Sequence, residues 1–172
     1  DQRPPADAVS YVRPSARTSL IIKLVGTDND RLARPGDRGL WCYTDRLSYL
    51  PGEQVRFHVS TSASRYSIEI VRVGARREVV WTRSGIRGAL HPTPPEAFAR
   101  GCGWPDGVAF RIPRQWRSGY YAVTLRAEGK KGEALEWDHF FVVRAPRGRR
   151  AKILMILSTN TYAAYNSWGG KC

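Results

Sequence analysis

Gln54-Val55-Arg56-Phe57-His58-Val59-Ser60 alternates without a break, with Val55, Phe57 and Val59 on one face and Arg56 and His58 on the other. Successive side chains of a strand point to opposite faces, so this period of two predicts a β-strand with one face in a core. Just before it, Leu50-Pro51-Gly52-Glu53 predicts a tight turn: Pro fixes φ at the first corner and Gly allows the second. Residues 43–49 read as the strand that enters this turn. Beyond Ser60 the pattern returns, with Tyr66, Ile68 and Ile70 set against Ser67 and Glu69, and with Val79, Val80 and Trp81 in a run over 78–82. It resumes at 108–112, at 120–127 with Tyr121, Val123 and Leu125 facing one way, and at 135–144 around Trp137, Phe140 and Phe141. Trp116-Arg117-Ser118-Gly119 and the Gly/Lys-rich 128–133 separate the later strands. Six or seven short strands with turn signals between them and almost no helical period predict an immunoglobulin-like antiparallel β-sandwich over 40–144.

Residues 84–106 break the rhythm. Prolines stand at 92, 94, 95 and 105, and Gly101-Cys102-Gly103-Trp104 lies near the end. So long a connection in a small domain tends to be functional or to cross between sheets. It makes His91 and Trp104 candidate binding-loop residues. Contact with a protein or a carbohydrate through this loop and an exposed Trp104 would make the chain a non-enzymatic binding module.

The ends differ in texture. Residues 1–39 hold a polar, proline-bearing arm and a short apolar run at 19–25. Residues 145–150 (Ala-Pro-Arg-Gly-Arg-Arg) form a basic linker of the kind found at domain boundaries. Lys152-Ile153-Leu154-Met155-Ile156-Leu157 is then apolar without alternation, as a strand buried on both faces of a parallel sheet reads. Ser158-Thr159-Asn160-Thr161 follows it, where such sheets carry their functional loops. Residues 151–172 are therefore expected to open an α/β domain that the sequence does not complete, and the chain is expected to be a piece of a longer protein.

Composition narrows the function classes. Six Trp, eight Tyr and five Phe in 172 residues supply a core, and no apolar run approaches the roughly 18 residues of a membrane-spanning helix. The net charge of +13 raises nucleic-acid binding, yet the arginines are scattered (Arg56, Arg65, Arg72, Arg83, Arg114) and no nucleic-acid motif is present. Neither a nucleic-acid nor a membrane partner is expected. Cys42, Cys102 and Cys172 show no zinc spacing; Cys42 and Cys102 suit a disulfide or two buried thiols equally well. His58, His91 and His139 are far apart in sequence. His58 and His139 fall on predicted strands, where a satisfied or solvent-facing histidine is usual. Ser118 and Ser158 have no local base, and neither a nucleophile elbow nor a phosphate loop occurs.

Thr161-Tyr162-Ala163-Ala164-Tyr165-Asn166-Ser167-Trp168-Gly169-Gly170, behind the apolar run at 153–157, resembles the start of the catalytic domain in proteins similar to the large subunit of N,N-dimethylformamidase. Upstream, Tyr43-Thr44-Asp45-Arg46-Leu47-Ser48-Tyr49, Pro51-Gly52-Glu53 and Trp116-Arg117-Ser118-Gly119-Tyr120 resemble the sandwich module that precedes that domain. The resemblance covers roughly Gly39 to Gly170, and the tail is its most specific part. It implies iron-dependent amide hydrolysis in the complete protein, with iron held by two tyrosines and a glutamate. Tyr162 and Tyr165 match the tyrosine-containing motif, one or both as ligands, while Asn160 and Asn166 flank them as binding candidates. The remaining ligands would lie outside this sequence, in the rest of an α/β catalytic domain or in another subunit. This chain by itself is expected to be inactive and to bind no iron well. The large lectin-like insertion associated with the amidase has no counterpart here, so the substrate does not carry over. Without the resemblance, two aromatics three apart after a buried strand read as core residues.

Overall fold

A computed structural model describes residues 39–149 and 156–159. Its strands are β1 (Leu40–Thr44), β2 (Ser48–Tyr49), β3 (Gln54–Thr61), β4 (Arg65–Val73), β5 (Arg77–Arg87), β6 (Asp106–Arg111), β7 (Gly119–Glu128) and β8 (Ala134–Val143), with one short helix, α1 (Ala97–Arg100). They form two layers, a three-stranded sheet ordered β1-β3-β6 and a five-stranded sheet ordered β2-β8-β7-β4-β5. All pairings are antiparallel except β2 with β8, which is parallel.

The alternation quoted above builds the core. Val55, Phe57 and Val59 of β3 are buried and face Tyr66, Ile68 and Ile70 of β4, Tyr121, Val123 and Leu125 of β7, and Phe141 and Val143 of β8. Aromatic rings bind one end of the core into a continuous series. Trp116 stacks on Tyr121 at 4.8 Å, Tyr121 on Phe141 at 5.5 Å, and Tyr49 meets the Phe141 ring edge-on at 5.7 Å. Each such pair adds about 0.5–1.5 kcal/mol beyond the area it buries.

Between β1 and β2 the chain leaves one sheet and joins the other. The residues 44–49 carry the hydrogen bonds that this crossing exposes. The buried Tyr49 hydroxyl donates to Asp45 Oδ1 at 2.7 Å and accepts the Arg46 N–H at 3.0 Å, and Asp45 Oδ1 also accepts the Arg56 N–H at 3.0 Å. Burial raises the Asp45 pKa, but these hydrogen bonds outweigh it and hold the carboxyl below its usual range. Thr44 gives its one hydroxyl proton to Arg46 O at 2.7 Å, so toward His139, 2.8 Å away, Thr44 Oγ1 must accept. The proton of the neutral imidazole therefore sits on Nε2. Desolvation pushes the His139 pKa down to about 4.

At the start of β7 the Tyr121 hydroxyl donates to Arg117 O at 2.6 Å. This is the tyrosine corner of immunoglobulin-type sandwiches, and it explains Trp116-Arg117-Ser118-Gly119-Tyr120-Tyr121 as a single structural unit. The predicted turn at 50–53 also forms. Glu53 N–H bonds to Leu50 O at 3.0 Å, Gly52 takes φ +90°, and the Glu53 carboxylate reaches back to the Leu50 N–H at 2.6 Å.

Two expectations need correction, and the long connection holds an element the sequence does not signal. β5 does not stop near Thr82 but runs to Arg87, so the long connection begins at Gly88. The cause is a bulge: Tyr66 pairs with Ile86 and Ile68 with Arg83, which leaves Ser84 and Gly85 opposite one residue, with Gly85 at φ +68°. The long connection also contains α1, which has no periodic signal because it is one turn long. Finally, Ile156, expected within a strand buried on both faces, is 82% exposed, and residues 156–158 are not in a strand. A parallel strand needs a neighbour on each side, and among the described residues none pairs with 156–158. The arm at 1–38, its run at 19–25, and residues 151–155 lie outside the described residues.

Tyr121→Phe removes the corner bond and leaves Arg117 O short of a donor; urea unfolding should show a loss of about 1–2 kcal/mol. His139 binds protons more weakly in the folded chain than in the unfolded one, so its contribution to stability is complete above pH 6.5 and is lost as pH falls toward 4. Urea unfolding of the parent chain should lose about 2 kcal/mol from this group between pH 7 and pH 5. His139→Gln, which keeps a donor toward Thr44 without a titrating ring, should lose correspondingly less.

Candidate functional site

The connection after β5 folds back over the outer face of the three-stranded sheet. That face presents Trp41 and Tyr43 from β1 beside Ser60 and His58 from β3, since Trp41 pairs with Ser60 and Tyr43 with His58. Ser60 Oγ anchors one end of the connection by donating to His91 O and accepting the His91 N–H, both at 2.8 Å. Trp104 anchors the other end. Its N–H donates to the Tyr43 hydroxyl at 3.1 Å, its carbonyl accepts from His58 Nδ1 at 2.7 Å, and its indole N–H donates to Pro92 O at 3.0 Å. The Trp104 ring packs on Trp41 and is only 4% exposed. Local sequence makes this possible. Gly101 at φ +75° ends α1 and Gly103 at φ +63° turns the chain again just before Trp104, while prolines 92, 94, 95 and 105 leave fewer N–H groups to satisfy.

His58 is the most chemically defined group here. A carbonyl can only accept, so Nδ1 carries the proton toward Trp104 O, and Nε2 is the basic nitrogen of the ring. Tyr43 stacks on the imidazole at 4.7 Å, and Asp106 Oδ1 lies 3.7 Å from Nδ1. A shallow groove beside it is lined by Asp45, Arg46, Glu53, Arg56, His58 and Asp106. Its charges are already matched, Arg46 with Asp45 and Glu53, and Arg56 with Asp106. The arrangement leaves His58 Nε2 as a hydrogen-bond acceptor, and among the described residues no activated nucleophile stands near it. Burial pushes the Cys102 thiol up to about 11, so it stays protonated at neutral pH. Cys42 and Cys102 are free thiols, not a disulfide, and Cys42 is buried with its pKa raised further.

The structure thus brings His91 and Trp104 onto one face and seats Trp104 inside it. The expectation of an exposed Trp104 for ligand contact is corrected: the indole holds the connection down. His58, Tyr43 and Asp106 were not singled out from sequence, because their meeting depends on where the 88–105 connection returns. His139 stands apart, in the crossing described above. Tyr162, Tyr165, Asn160 and Asn166 lie outside the described residues.

No group of three or more His, Cys, Asp or Glu among the described residues can hold a metal ion. Burial raises the phenol pKa values of Tyr43, Tyr49, Tyr66 and Tyr121.

Two facing sheets of this strand order, with a tyrosine corner, define an immunoglobulin-like β-sandwich module. Its family follows from the sequence: residues 67–172 match the family described as N,N-dimethylformamidase beta subunit-like, C-terminal, and the chain belongs to that family. No curated protein matches the sequence significantly. Among solved structures, the sporulation control protein Spo0M from Bacillus subtilis is 14% identical, with 63% of this chain and 49% of that chain covered and a TM-score of 0.43. The chain therefore spans about half the length of Spo0M. Murine CRIg is also 14% identical, with coverages of 63% and 98% and a TM-score of 0.43. CopC from Methylosinus trichosporium OB3b is 15% identical, with coverages of 60% and 93% and a TM-score of 0.35.

Trp104→Ala should free the 88–105 connection at a cost of about 3 kcal/mol. Trypsin should then cut after Arg100 at least roughly tenfold faster than in the parent chain, because local opening controls access. Peptide mass mapping of a brief digest checks this.

Proposed function

We propose that these residues form the sandwich module and the beginning of the catalytic domain of an iron-dependent amide hydrolase of the N,N-dimethylformamidase type. One observation carries the reading: the family match starts in β4, runs through the sandwich and continues without a break over Tyr162 and Tyr165. Phenolate and carboxylate oxygens are hard donors, and an iron ion so held supplies polarisation of an amide carbonyl and activation of water. Tyr162 and Tyr165, one or both, contribute from this chain, and the other donors come from the rest of an α/β catalytic domain or from another subunit. Among the described residues the sandwich holds no cluster of His, Cys, Asp or Glu that could hold a metal ion, and its part in this reading is support. Its positive charge is balanced locally in several places, as where Arg126 meets both Glu69 and Glu136, which fits a supporting role better than a nucleic-acid surface. The reading as a non-enzymatic binding module loses its main support with the burial of Trp104.

The test compares this 172-residue chain with the complete protein. The short chain should carry no stoichiometric iron in metal analysis and should release no amine from N,N-dimethylformamide or another simple amide. The complete protein should do both, and Tyr162→Phe or Tyr165→Phe should lower its iron content. Activity in the short chain, or full iron content in both tyrosine variants, would overturn the proposal.

A further inference from the structure

β5 and β6 are the outer strands of their sheets, and among the described residues neither has a strand on its far side. Trp81 of β5 meets Phe110 of β6 at 4.8 Å, so the two edges lie on one side of the sandwich. Phe110 continues to Trp116 at 5.3 Å, and all three rings are partly exposed. β5 is the longer edge and is open to solvent along most of its length, with Val79 56% exposed. A strand edge in this state offers a row of amide and carbonyl groups to any chain that can lie beside it.

Charge decides which chain. Arg77, Arg83 and Arg87 on β5 and Arg76 just before it are exposed, and so are Arg114 and Arg117 in the turn that carries Trp116. Among the described residues none of these arginines forms an ion pair, whereas Arg46, Arg56, Arg100, Arg126 and Arg144 all do. Glu78 is the only acid on β5. The cations stand on both faces of the edge. Arg83 lies opposite Ile68, on the core side of β4, and Arg77 lies opposite Val73, on the outer side. Side chains of an added strand also alternate between the two faces, so carboxylates on either face of it meet a cation.

We propose that the β5 edge docks an extended acidic segment of a partner protein, which joins the five-stranded sheet beside β5. In such a pairing main-chain hydrogen bonds supply affinity and side chains supply selectivity. Val79 and Trp81 offer apolar contact, and the arginines select for acid. The bulges at Val80 and at Ser84-Gly85 confine regular pairing to 81–83, so charge, and not the length of the ladder, carries the selection. A second copy of the chain is a poor occupant, since β5 against β5 sets arginines against arginines with one glutamate per strand to answer them. A nucleic acid brings phosphates but no amide ladder, and it leaves the open backbone of β5 unmet. The proposal holds whether or not the complete protein hydrolyses amides.

The experiment follows the fluorescence anisotropy of a labelled, acetylated peptide of two Val-Glu-Glu-Val units, which carries acid on both faces when extended. The 172-residue chain is titrated into it at low salt. Saturable binding is expected, at least roughly tenfold tighter than for the Val-Lys-Lys-Val counterpart and for an oligothymidylate of equal charge. Methylating alternate amide nitrogens of the probe should weaken binding by at least about tenfold, because the ladder to β5 is then blocked. Arg77→Glu combined with Arg83→Glu should weaken it to a similar degree while the near-ultraviolet signal of the tryptophans is kept. Arg77→Gln combined with Arg83→Gln, a milder change, should weaken it in the same direction. No binding of the acidic probe, equal binding of the methylated probe, or equal or tighter binding of the oligothymidylate would overturn the proposal. Unchanged binding in both arginine variants, or a dimer of the parent chain in sedimentation that excludes the probe, would do the same.

Discussion

A sandwich in which β1 lies in one sheet and β2, four residues later, in the other depends on how the chain crosses between them. Backbone groups freed at such a crossing cannot be left buried and unpaired, since each costs about 1–3 kcal/mol. Here the burden falls on Asp45, Tyr49, Thr44 and His139. Asp45 takes the Tyr49 hydroxyl and the Arg56 N–H, and Thr44 links the crossing to β8 through His139. Once residues 44–49 are fixed, β1 is committed to β3 and β2 to β8, and the two layers can close over one core. The stretch Tyr43–Tyr49 that resembles the family's sandwich module is thus explained by architecture.

Much of this was legible in the sequence because one face of each strand meets the core and the other meets water. Val55, Phe57 and Val59, and again Tyr121, Val123 and Leu125, report that asymmetry directly. Where the asymmetry fails, so does the reading. β5 is an edge strand with many exposed residues on both faces and a bulge at Gly85, so its second half shows no alternation. The outer face of the five-stranded sheet defeats the pattern differently. Val71, Ala122 and Phe140 are apolar on the side that should be wet, which makes 70–71 and 140–141 look like continuous runs.

The site was less legible than the fold. His58 sits on the polar side of an alternating strand, and nothing local distinguishes it from a solvent-facing histidine. Its partners Trp104 and Asp106 lie more than forty residues away, and they arrive only because two positive-φ glycines and a set of prolines steer the connection back. The same distance hid the true role of Trp104. A tryptophan in a glycine-rich loop suggests recognition, but with Trp41 and Tyr43 waiting on the sheet the larger gain is burial. Tyr162 and Tyr165 present the opposite case: their motif is specific in the sequence, and both lie outside the described residues.

The parallel pairing of β2 with β8 gives the module a mechanical character. Val142 N–H bonds to Leu47 O at 2.9 Å and Arg144 N–H to Tyr49 O at 2.8 Å. The chain enters through β1 and β2 and leaves through β8, so tension applied across the two ends slides these strands past each other. Hydrogen bonds loaded in shear must rupture together, whereas those of a hairpin pulled open break singly, in succession. Among the described residues this pairing therefore ties the strand that enters the five-stranded sheet to the strand that leaves it, so that neither shifts along its axis without the other.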